Sequence, residues 1–195
     1  GYLSCDYEIE VDYSSASYFL ALAAIHQSEI TILGARKESL QGDLVFADIL
    51  VEMGCQVSWS KQGLTLLGPK RLRGLKINMK DATDLVPALC VVAMFCETPT
   101  IIEGIDHMRY KECDRIAALC SEMSQFGLDL KYHNKVLRIC PQKNYKGAVC
   151  STYDDHRMAM AFSVVGTKVK NTTILNPGCV DKTFPNFFEK LSECF

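Results

Sequence analysis

Two rhythms of apolar and polar positions divide the chain. Stretches that alternate every second residue predict strands, and longer stretches with apolar residues on one face or all round predict helices. Tyr7–Asp12 alternates as a strand, and Ser14–Ile25 follows as a helix with Asp12 or a nearby serine as its cap. Glu29–Gly34 is rich in β-branched residues and predicts a strand, and Asp43–Met53 is apolar at helical spacing and stops at Gly54. Gln56–Ser60 and Leu64–Leu67 then form a hairpin about Gly63. The same order returns: strand Lys76–Lys80, a buried helix Leu85–Cys96, strand Thr100–Glu103, an amphipathic helix Lys111–Phe126, and hairpin strands Asp129–His133 and Val136–Cys140. A third round gives strand Ala148–Thr152, helix Asp155–Val165, strand Thr172–Leu175 and helix Phe187–Cys194, with no hairpin after it.

This order is a repeat. Glu29–Gly34, Thr98–Gly104 and Asn171–Asn176 resemble one another; Ile32 and Ile102 lie 70 residues apart, Ile102 and Ile174 lie 72 apart. Gly54 and Gly127, each before a hairpin, lie 73 apart. A shared period in separate segments predicts repeated βαβαββ units, over about 5–70, 75–141 and 147–195, two complete and the third incomplete. The expected class is mixed α/β (α+β), with all 195 residues in a single domain. The missing hairpin implies strands supplied from elsewhere or an open edge.

Composition narrows the function. The net charge is −2 and 48% of residues are hydrophobic, so no general affinity for nucleic acid or for anionic membranes is expected. No apolar run reaches the roughly 18 residues of a membrane span. The first residues alternate like a strand rather than a signal peptide, and the absence of an initiator Met suggests a processed, engineered or truncated start. Ten cysteines are scattered without a C-x-x-C, so we read them as buried thiols of a reducing cytoplasm, with no zinc site.

Candidate chemistry gathers where one element hands over to the next. Lys111 and Arg115 sit one i,i+4 step apart in K-E-C-D-R, with Glu112 beside them. They read as a solvated helix start with ordinary ion pairs, or as an anion site, since two cations oppose the dipole of the helix they open. Asp154, Asp155, His156 and Arg157 precede a wholly apolar helix; an aspartate suits the cap, which leaves Arg157 unexplained. Asp84 stands before the apolar run Leu85–Cys96, as a cap or as a general base. Lys182 lies in V-D-K-T-F-P, between strand and helix.

Asp84 with Pro87, then K-E-C-D-R, D-D-H-R-M-A-M and D-K-T-F-P, resemble the EPSP synthase family in order and spacing. So do D-Y-S-S-A-S-Y-F-L at the start and S-L-Q-G-D at Ser39–Asp43, and the likeness covers essentially the whole chain. The resemblance implies an enolpyruvyl transferase fold, an inside-out α/β barrel of two similar domains, each of three βαβαββ units. This chain would be the C-terminal domain, and the far N-terminal segment of the parent would complete its third unit. The implied reaction moves the enolpyruvyl group of phosphoenolpyruvate to the 5-hydroxyl of shikimate 3-phosphate, without metal or organic cofactor. Asp84 matches the carboxylate on the shikimate hydroxyls and a candidate base. Lys111 matches a lysine on shikimate 3-phosphate, and Glu112 a carboxylate that moves a proton at the phosphoenolpyruvate methylene. Arg115 and Arg157 match the pair on the phosphoenolpyruvate carboxylate, His156 lies beside it, and Lys182 matches a lysine on its phosphate. His107 stands where many members have Asn, which changes a substrate hydroxyl contact. The implied partner is the N-terminal domain, which carries the other half of the site. The alternatives are a non-catalytic fragment or half of a split enzyme, or the related UDP-N-acetylglucosamine enolpyruvyl transferase.

Overall fold

The computed structural model describes residues 3–6 and 8–195. Three helices are buried on nearly every face: α1 (Tyr13–His26), α3 (Val86–Met94) and α5 (His156–Lys168). They pack on one another as the centre of the core. Each is too apolar for a surface position, and burying its side chains supplies the main driving force for assembly. Between them in the chain lie the one-sided helices α2 (Val45–Glu52) and α4 (Arg115–Gln125), and the chain ends with α6 (Phe187–Ser192).

The sheets follow the repeat. In the first, β1 (Glu29–Leu33) pairs antiparallel with β3 (Gly63–Leu67), which pairs with β2 (Gln56–Ser60). In the second, β4 (Lys76–Asn78) runs parallel to β5 (Thr100–Glu103), followed by β7 (Val136–Cys140) and β6 (Asp129–His133) in antiparallel register. In the third, β8 (Val149–Cys150) runs parallel to β9 (Thr173–Ile174). The parallel pairs β4–β5 and β8–β9 are bridged by α3 and α5, the crossover that parallel strands need.

Two expectations fail. The second round is a complete βαβαββ unit, but among the described residues the first shows no opening strand. Of the expected strand Tyr7–Asp12, Tyr7 lies outside the described residues and Glu8–Asp12 forms no strand. Local side-chain bonds hold this segment instead: Gln41 Nε2 donates to the Val11 carbonyl at 2.8 Å, and Asp12 turns to cap α1 through Ser14 N–H at 3.0 Å. The amphipathic helix expected from Lys111 begins at Arg115. Asp114 is its N-cap, accepting from Ala117 N–H at 3.0 Å, and Asp106–Tyr110 forms a separate 3-10 turn. A carboxylate that can take a free amide outcompetes a longer helix here. Lys111 and Arg115 therefore do not share a helical face.

Candidate active site

The starts of α3, α4 and α5 converge on one cluster of charges. Asp84 lies in the 3-10 turn Thr83–Leu85 that leads into α3. Its carboxylate accepts from Arg115 Nη1 at 2.9 Å and Arg157 Nη2 at 3.0 Å, and Lys111 Nζ stands at 3.4 Å. Arg115, the first residue of α4, donates Nη2 to Glu112 at 2.7 Å and Nε to Asp155 at 2.7 Å. Lys182, in the turn Pro177–Lys182, reaches Glu112 at 3.2 Å. One connected network thus ties residues of the second and third repeats.

The two arginines differ in availability. The Arg115 side chain is 2% exposed, and its guanidinium is enclosed by Asp84, Glu112 and Asp155. These carboxylates, rather than a ligand, resolve the conflict between a cation and the α4 dipole. The Arg157 side chain is 13% exposed; among the described residues it bonds Asp84, through its carboxylate and, at 3.4 Å, its carbonyl, and it lies near the Tyr18 hydroxyl. Several of its N–H groups are left to face an incoming anion. Asp155 does double duty: it caps α5 by accepting from Arg157 N–H at 2.8 Å and is the fully buried partner of Arg115.

The titrating groups respond in opposite ways. Burial pushes the Asp84 carboxyl up, but Arg157, Arg115 and Lys111 outweigh it and hold it below the usual carboxylate range. Burial likewise raises Glu112, and its own backbone N–H, Arg115 and Lys182 bring it below its ordinary value. Burial first, and then the neighbouring Arg157, lower His156 and favour the neutral imidazole. His156 is 4% exposed, and among the described residues its Nδ1 has no hydrogen-bond partner. Four cations (Lys111, Arg115, Arg157, Lys182) face three carboxylates (Asp84, Glu112, Asp155), which leaves one positive charge.

Asp84, Lys111, Glu112, Arg115, Arg157 and Lys182 are joined directly. His156 is the chain neighbour of Arg157. His107 is exposed and joins at one remove, its Nε2 lying 3.1 Å from the hydroxyl of Thr83, next to Asp84. Sequence reasoning gave Asp155 only a capping role. Its pairing with Arg115 spans 40 residues and left no local signal. Glu122 was missed altogether. From within α4 it accepts from Ser151 N–H at 3.0 Å and Tyr153 hydroxyl at 2.7 Å, and so fixes the turn before α5. Tyr153 and Asp154 in that turn hold φ of 54° and 56°, a conformation non-glycine residues adopt only under constraint.

Fold and site together define an α/β domain of repeated units whose helix starts carry a mixed cluster of cations and carboxylates. A family profile described as EPSP synthase (3-phosphoshikimate 1-carboxyvinyltransferase) matches residues 2–191, and the chain belongs to that family. It is 43% identical over 190 residues to the chloroplastic 3-phosphoshikimate 1-carboxyvinyltransferase of Arabidopsis thaliana, covering 94% of this chain and 36% of that protein. It is 41% identical over 189 residues to the enzyme of that name from Nostoc punctiforme, covering 97% of this chain and 44% of that protein. The solved EPSP synthase of Acinetobacter baumannii shares the fold, with a TM-score of 0.85 and 24% identity over 95% of this chain and 46% of that one. The chain thus spans less than half the length of these relatives.

Proposed function

We propose that this chain is the C-terminal domain of an EPSP synthase, contributing half of the site that moves an enolpyruvyl group from phosphoenolpyruvate to shikimate 3-phosphate. The observation that carries this reading is the single network joining Asp84, Lys111, Glu112, Arg115, Arg157 and Lys182 across two repeats. The 5-hydroxyl of shikimate 3-phosphate adds to the enol carbon of phosphoenolpyruvate while the methylene gains a proton. The tetrahedral intermediate then loses a proton and phosphate, giving the enolpyruvyl ether. Both steps need proton transfer and clamping of anions, and no metal or organic cofactor.

Asp84 binds the shikimate hydroxyls and takes the proton of the attacking one. Its low pKa in the present arrangement reflects Arg157, Arg115 and Lys111. A substrate carboxylate that draws Arg157 away raises the basicity of Asp84 at the moment a base is needed. Lys111 meets shikimate 3-phosphate and Glu112 moves the methylene proton. Arg157, with Arg115 behind it, holds the phosphoenolpyruvate carboxylate, neutral His156 stands beside it, and Lys182 meets the departing phosphate. His107 contacts a substrate hydroxyl by one hydrogen bond. The N-terminal domain supplies the opposite wall. A cytoplasmic site of action suits the ten free cysteines.

The test is Arg157→Ala in the complete enzyme. The expected result is a rise of at least tenfold in KM for phosphoenolpyruvate, with KM for shikimate 3-phosphate changed less than threefold. Equal losses for both substrates contradict the assigned role.

A further inference from the structure

The opposite end of the buried helices carries a second charged cavity. α3 and α5 start together at Asp84 and Arg157, and their far ends also lie together, because Met94–Cys96 and Lys168–Asn171 line one cavity of about 620 Å³. The third wall is the loop Gln142–Gly147 between β7 and β8. α5 alone places this cavity about 20 Å from the site, at 1.5 Å per residue over its 13 residues.

The lining is one-sided in charge. Lys143, Lys146, Lys168 and Lys170 all contribute, and no Asp or Glu does. Among the described residues none of the four has a carboxylate within ion-pairing distance, in a chain whose net charge is −2. The neighbouring Glu97 is turned to Arg71, 3.4 Å away. Helix dipoles account for Lys168 alone, in the last turn of α5. Lys143 and Lys146 sit on a loop and owe nothing to a helix end. Lys168 bonds the Ile25 carbonyl and stands 4.9 Å from the centre of the Phe95 ring, and burial lowers its pKa.

The walls are also held in place. The Tyr145 hydroxyl accepts from Gln142 N–H at 2.7 Å and donates to the Met94 carbonyl, and Lys146 N–H donates to Phe126 at 3.1 Å. Gly147 lies so close to the other loop that a Cβ would stand 2.2 Å from the Asn171 carbonyl and 2.5 Å from that of Lys170. These contacts fix the spacing of the lysine-bearing segments before any ligand arrives.

We propose that this cavity binds a small, multiply charged phosphate compound, at a site separate from the candidate active site. Four ammonium groups with no internal counter-ion call for more than one negative charge, and the Asn144, Asn171 and Gln142 amides add neutral donors. The cavity holds more than an orthophosphate, which points to a polyphosphate or a phosphate ester. The proposal stands apart from the enolpyruvyl transfer reading.

The test is isothermal titration with inorganic pyrophosphate in the Arg157→Ala background, which removes the most available anion ligand of the other site. One saturable site is expected there. Adding Lys143→Ala, Lys146→Ala and Lys170→Ala should weaken it at least tenfold, and Lys168 is kept because it also holds the end of α1. Circular dichroism checks the fold; if the combined variant unfolds, the single Lys143→Gln and Lys146→Gln changes replace it, with threefold losses expected. Loss of all binding in Arg157→Ala alone, unchanged binding in the lysine variants, or equal competition by sodium chloride at matched ionic strength overturns the proposal.

Discussion

Arg115 and Arg157 reach the same carboxylate, Asp84, yet their removal should have different consequences. Arg115→Ala leaves the fully buried Asp155 carboxylate without its cation and Glu112 with Lys182 alone, so a loss of about 3–5 kcal/mol is expected, as for other broken buried pairs. Arg157→Ala leaves Asp84 with Arg115 and Lys111, and the cost should be about 1 kcal/mol, near that of a partly exposed pair. Urea denaturation of both variants measures the contrast, and equal losses contradict it. The carboxylates also set an acid limit. Asp84 and Glu112 are held below their ordinary values of 3.8 and 4.5, so the stability they contribute is present above those values. It is lost as pH falls through their lower folded-state values, where the native state must take up protons. Thermal melts of Asp84→Asn should show a flatter decline below pH 3.8 than the parent; parallel curves contradict the linkage.

At the scale of elements, the period-two and apolar patterns located most strands and the buried helices. α3 was legible because every residue of it is apolar, and α5 because apolar residues dominate its buried face, which His156 and Ser163 alone interrupt among the residues buried there. The start of α4 was not, because K-E-C-D-R fits a helical face equally well, and only the bond from Asp114 to Ala117 N–H places the boundary. The opening strand was misread because alternation describes a strand without guaranteeing a partner. In the described residues β1 pairs only with β3. The site was legible as motifs, but not the bridge from Arg115 to Asp155, which depends on how two helix starts pack. The hairpin offers a test at this scale. Gly63 holds φ of 146°, and a Cβ there would stand 2.0 Å from the Ile32 carbonyl. Gly63→Ala should therefore part β3 from β1 and cost at least about 2 kcal/mol, read by denaturation. An unchanged midpoint contradicts that account of the turn.

For the whole molecule, the central claim is that the cluster is one wall of a two-walled site. Each of its four cations is already paired with one or more of three carboxylates, leaving one net positive charge, and the half-exposed Asp84 and the exposed Lys182 face solvent. Charges so paired and screened hold a trianionic substrate weakly until a second wall excludes water. The most direct measurement is phosphate release from phosphoenolpyruvate and shikimate 3-phosphate by the purified chain, alone and with the N-terminal domain added. The account predicts no release above background from the chain alone, and release that appears with the added domain and vanishes with Arg157→Ala. Steady release by the chain alone would contradict it.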